Sequence, residues 1–139
     1  MEGRTIKRLL TTALILAAGL ALPVNAAPKS VGYPAQAYYI QACTNEDKGD
    51  IKGAIEKMQR AIELKNDNAL YYTKLAGLYQ NLGEWDNALA AYKKAAQLRP
   101  DDSFLYLAIG QILQQKKDYA NALEAYKYVL QLTPSYKYN

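Results

Sequence analysis

The chain has 139 residues, half of them hydrophobic, with a formal net charge of +4 and a pI near 9.0; that length suits one domain with a packed core. It contains no histidine and one cysteine, Cys43, which excludes a His-activated nucleophile, a Cys/His zinc site and any intramolecular disulfide. Three basic residues and one acidic residue fall within the first 26; beyond them 14 basic stand against 12 acidic, a net of +2, so the high pI argues little for a nucleic-acid partner.

The chain opens with a basic stretch, "MEGRTIKR", then an apolar run from Leu9 to Leu22, then Pro23 and "VNAA". This is the three-part pattern of a secretory signal, with Val24 and Ala26 as the small residues before a cut after Ala26. The apolar run is about 14 residues, short of the roughly 20 that a spanning helix needs. Retention as an N-terminal anchor is the alternative. A signal over residues 1–26 implies export to a periplasm, to the medium or, in a photosynthetic bacterium, to the thylakoid lumen, with no membrane contact after cleavage. Residues 27–34 read as a short extended lead-in, and Pro34 suits the first turn of a helix.

From there the chain repeats itself. "NALAAYKKAAQLRPDD" at 87–102 returns 34 residues later as "NALEAYKYVLQLTPSY". At that shift Tyr38, Tyr72 and Tyr106 superpose, as do Ala42, Ala76 and Gly110, then Gly49, Gly83 and Lys117. Ala54, Ala88 and Ala122 follow, and Met58, Tyr92 and Tyr126. Each copy holds two stretches with apolar residues at helical spacing. The predicted helices are 35–47, 51–65, 69–81, 85–98, 103–115 and 119–132. Gly83 suits a left-handed helix end, Pro100 stops the fourth helix, and Asp101 and Asp102 offer capping oxygens for the fifth. A 34-residue helix–turn–helix period predicts a solenoid, an all-α fold of about six helices. Its packing residues are Tyr72, Leu75, Tyr79, Ala88, Tyr92 and Ala95 in the second copy, with Tyr106, Ile109, Ala122 and Tyr126 in the third. The alanines permit a close helix crossing beside the large rings.

These positions resemble the tetratricopeptide repeat. Tyr72, Leu75, Ala76, Tyr79, Gly83, Ala88, Tyr92, Ala95 and Pro100 carry the pattern in the second copy. Tyr106, Ile109, Gly110, Leu113, Ala122, Tyr126, Val129 and Pro134 carry it in the third. The first copy departs from it at Gln41, Asn45 and Asn66. The resemblance covers about residues 35–136, as repeats 35–68, 69–102 and 103–136, with 137–139 as a tail. It implies a right-handed superhelix of three units whose first helices line a concave groove.

By helical phase, the groove candidates are Tyr39, Cys43 and Glu46 from the first copy. Thr73, Lys74, Gly77, Gln80 and Asn81 come from the second, and Leu107, Ala108, Gln111 and Gln114 from the third. Amides here can bond a peptide backbone without requiring a charged side chain, so the groove is expected to hold an extended segment or a helix of another protein. Some relatives grip acidic chaperone tails through Lys, Asn and Arg; this chain has Tyr39, Cys43, Gly77, Phe104 and Ala108 in those places, which argues against that ligand class. Cys43 reads as a small buried or half-buried residue rather than a reactive thiol. The Lys93–Lys94 and Lys116–Lys117 pairs read as solvated.

No catalytic motif or glycine-rich phosphate loop is present, so the expectation is a non-enzymatic protein-binding module without cofactor, metal or nucleic acid. The alternative is a self-assembly unit. Solenoids usually end in a polar cap, whereas the sequence offers no seventh helix to cover Tyr126, Val129 and Leu130, which would then pair with another protein or in a homodimer.

Overall fold

A computed structural model describes residues 34–133; the signal-like segment, the lead-in before Pro34 and residues 134–139 lie outside them. Six helices make up the described residues: α1 (Pro34–Asp47), α2 (Ile51–Leu64), α3 (Ala69–Asn81), α4 (Trp85–Leu98), α5 (Ser103–Gln115) and α6 (Tyr119–Leu132). No strand occurs among the described residues. Each helix packs first on its partner, as α1 on α2, α3 on α4 and α5 on α6, and then on the next pair through α2–α3 and α4–α5. That nearest-neighbour pattern is the signature of a helical repeat solenoid. The helices begin and end within one residue of the sequence expectation. Pro34 opens α1, and α2 closes at Leu64 because Lys65 adopts extended backbone.

Local chemistry sets these boundaries. Carboxylate or amide oxygens cap four helices: Asp50 accepts from the Gly53 amide, Asn68 from Leu70, Asp102 from Phe104 and Asp118 from Asn121. Each satisfies a backbone donor that the first helical turn leaves without a partner. The turns inside the pairs share one geometry. Gly83 has φ 71°, its amide donates to the Gln80 carbonyl at 2.9 Å, and the next amide, Glu84, reaches back to Tyr79 at 2.9 Å. Gly49 repeats the turn at φ 79°, and Lys117 adopts it at φ 61° although it carries a side chain. Its amide donates to Gln114 at 2.9 Å and that of Asp118 to Leu113 at 2.8 Å, the paired bonds of a left-handed helix end.

The core runs along the stack as one cluster. Ala54, Ala88 and Ala122 are buried where the paired helices meet, with Met58, Leu78, Leu105 and Ile112 as the largest fully buried side chains. Tyr92 and Ala95 are buried with them, as are Leu75 and Ile109, while Tyr72, Tyr79, Tyr106 and Tyr126 are half-buried against the cluster. Small residues set the distance between helices. A Cβ at Gly110 would meet the Tyr126 ring at 2.5 Å, so that ring lies directly on the α5 backbone. No polar or charged residue is buried among those described.

Candidate functional site

Residues of α1, α3, α4 and α5 border a cavity of about 540 Å³. Its spine is one face of α3. Leu70, Thr73, Lys74, Gly77, Gln80 and Asn81 follow at helical spacing. Glu46 closes it from α1, Phe104 from α5, and Trp85 and Tyr92 from α4.

Charge in this cavity cancels. Lys74 donates to the Glu46 carboxylate across the gap between α1 and α3, with both side chains about three-quarters buried. Burial works against the Lys74 charge, but the Glu46 carboxylate outweighs it and holds the ammonium above its ordinary pKa. The cation expected from sequence is therefore already paired with an acid of the preceding repeat.

The amides are also partly engaged, and in register. The Tyr92 hydroxyl donates to the Gln80 side-chain oxygen at 2.8 Å, and 34 residues later the Tyr126 hydroxyl donates to Gln114 at 2.9 Å. Each glutamine keeps its amide N–H groups as donors. In the first repeat the same two places hold Glu46 and Met58. Methionine has no hydroxyl to give, and Glu46 turns to Lys74 instead.

The remaining candidates spread along the same side of the stack. Tyr39 and Cys43 are half-buried on α1; the Tyr39 ring stacks on Tyr71 with centroids 5.5 Å apart. Burial raises the Tyr39 pKa, with Cys43 adding to the effect. Cys43 is a free thiol. The Thr73 hydroxyl is spent on the Ala69 carbonyl at 2.9 Å. Ala108 is buried in the core rather than facing the groove, while Leu107, Gln111 and Gln114 are exposed on α5. The structure thus gathers Thr73, Lys74, Gln80 and Asn81 into the cavity and leaves Tyr39, Cys43, Leu107, Gln111 and Gln114 beyond its lining.

Sequence reasoning placed Phe104 where relatives grip a ligand but did not join Leu70 and Trp85 to it. Leu70 is 52% exposed and Phe104 62% exposed, and both border the cavity with Trp85. A signal was available: Leu70 and Phe104 stand 34 residues apart, one position before a core residue in each repeat, and a repeated large apolar side chain with no packing role marks a contact surface.

Of the three α6 residues expected to lie open, one, Leu130, is exposed. Val129 is half-buried, and Tyr126 turns inward onto Gly110 and Gln114. The exposed residues are Tyr119, Leu123 and Leu130, the last at 64%. Leu130 occupies the repeat position of Ala96, which is 6% exposed.

Among the described residues no group of three or more acidic, cysteine or histidine side chains could hold a metal ion, and no helix is long and apolar enough to cross a membrane.

Comparison with known proteins agrees with this architecture. The tetratricopeptide repeat profile matches residues 73–137, and a second profile, TPR repeat, matches 47–83. No curated protein matches. Among solved structures, the crystal structure of MamA is 32% identical with a TM-score of 0.71 over 74% of this chain, which spans 60% of the MamA chain. The second TPR of Spaghetti (RPAP3), bound to the HSP90 peptide SRMEEVD, is 21% identical with a TM-score of 0.65, covering 71% of this chain and 92% of that one. The Arabidopsis OM64 TPR domain is 21% identical with a TM-score of 0.66, covering 75% and 86%. The 34-residue period, the paired helices and both profiles converge: the chain belongs to the tetratricopeptide repeat family.

Proposed function

We propose that the chain is an exported, non-enzymatic protein-interaction module that holds a segment of a partner protein against the α1–α3–α5 side of its stack. One observation carries the reading: the cavity of about 540 Å³ joins exposed apolar side chains, Leu70 and Phe104, to an amide, Gln80, whose N–H groups remain to donate. Such a surface can take an apolar side chain while bonding a peptide backbone. The fold neighbours that hold an HSP90 peptide support the use of this architecture for peptide capture. Their ligand, SRMEEVD, is acidic, whereas the Lys74 charge here is met by Glu46. The export element of the reading rests on the signal-like pattern of residues 1–26.

The test is a photo-crosslinker at Gln111 in the full chain, expressed in its native cells. A covalent adduct to a second protein that disappears in Leu70→Asp/Phe104→Asp supports the groove; an adduct that survives both charges defeats it.

A second reading has its own observation. Leu123 is 54% exposed on α6, whereas its equivalents are Ile55 on α2, 8% exposed, and Leu89 on α4, half-buried. Leu123 and Leu130 hold positions that are more covered in the earlier repeats, and we assign this α6 face to pairing with a second copy of the chain.

A further inference from the structure

Gly77 is the one glycine among those described that neither turn geometry nor packing explains. Gly49 and Gly83 hold left-handed backbone, a Cβ at Gly110 would strike the Tyr126 ring at 2.5 Å, and one at Gly53 would strike the Asp50 carboxylate that caps α2. Gly77 has ordinary helical backbone inside α3, and a Cβ there would meet nothing within 4 Å. Glycine inside a helix is unfavourable relative to alanine, so the fold alone would be better served by a side chain. The same position in the flanking repeats carries Cys43 and Gln111. The glycine therefore leaves a depression between two occupied positions, and it borders the cavity together with Leu70, Trp85 and Phe104.

We propose that Gly77 is a specificity-determining residue: it forms the floor of a slot that accepts one large apolar side chain of an extended, locally uncharged peptide segment. The inference rests on the groove reading above and adds the chemistry of the bound residue. Three observations fix that chemistry. Leu70, Trp85 and Phe104 present exposed apolar surface around the glycine. Lys74 and Glu46 neutralise each other beside it, so no free charge calls for a carboxylate or a cation on the ligand. Missing side-chain volume at Gly77 lets a ligand approach the helix backbone, which is the use of glycine where another chain comes close.

The probe is a phage-displayed library of random dodecapeptides panned on the immobilised full chain, followed by anisotropy titration of the selected peptides. Enriched sequences are expected to share a Leu, Ile, Met, Phe or Trp with no charged neighbour on either side. Gly77→Ala is expected to raise Tm by about 3–6 °C while weakening those peptides roughly tenfold, and Gly77→Leu is expected to abolish binding with the helical spectrum intact. A stabilised Gly77→Ala chain that binds with unchanged Kd overturns the slot, since the glycine would then serve no ligand; so does enrichment of peptides rich in carboxylates. If selected peptides ignore Gly77 but are lost in Leu70→Asp/Phe104→Asp, the slot falls and the groove stands. If no peptide is retained, both fall.

Discussion

At the scale of single residues, the hydroxyl of Tyr92 shows how one atom ties the core to the groove. Its ring is buried against the α3–α4 pair, and its oxygen donates to Gln80 at the edge of the cavity. Burial disfavours the phenolate and raises the Tyr92 pKa above its ordinary value near 10. A group whose folded pKa is raised gives stability that is fully present below the unfolded value and is lost as pH rises through the folded one. Stability should therefore fall as pH climbs beyond about 10. Tyr92→Phe should cost roughly 0.5–1.5 kcal/mol of stability at pH 7 through the lost bond, yet flatten the decline between about pH 9 and 11. Thermal melts of both proteins across that range check the point; parallel declines would assign the alkaline loss to other groups.

For the helices and turns, Lys117 is the informative position. Gly49 and Gly83 make the same turn, and the third copy makes it at φ 61° with a residue whose Cβ disfavours it. Lys117→Gly should raise stability by about 0.5–1 kcal/mol, the strain relieved less the extra freedom of the unfolded chain. Urea unfolding with an unchanged m-value measures it. This turn also illustrates what could be read in advance. The 34-residue period and the glycine and proline punctuation located all six helices, because those signals act within a few residues of themselves. Even Lys117 was aligned with two glycines, so its backbone followed from the repeat. Contacts between repeats left no such trace. Glu46 meets Lys74 across 28 residues, and no local pattern says whether a groove lysine is free or paired. The sequence marks Gln80 and Gln114 as groove amides but carries no sign that Tyr92 and Tyr126 donate to their oxygens. Ala108 shares the repeat position of Lys74, but its methyl group stays buried where the long lysine stem reaches the cavity. Phe104 stands where relatives grip a ligand, but no local pattern joins it to Leu70 and Trp85 in one cavity.

Across the whole molecule, the two readings of function occupy different surfaces and separate cleanly. The groove lies on α1, α3 and α5, and the open apolar face lies on α6. Leu123→Glu combined with Leu130→Glu should leave peptide capture intact, because neither residue borders the cavity, and should abolish any concentration-dependent association. Sedimentation velocity from about 1 to 100 μM provides the measurement, a range set by the micromolar affinity of weak interfaces. A chain that is already monomeric throughout would remove the second-copy reading and leave the groove untouched.

The concentration of each helix's packing on its neighbours has a consequence for how the molecule comes apart. Among the described residues no extensive packing joins α1 to α6 as a sheet or barrel closure would, so loss of order can begin at either end and travel inward one pair at a time. The α3–α4 pair is flanked on both sides, and its amides should be the last to trade hydrogen for deuterium. The cavity is built mainly on that pair, so the surface proposed to grip a partner sits on the portion of the stack that opens least often.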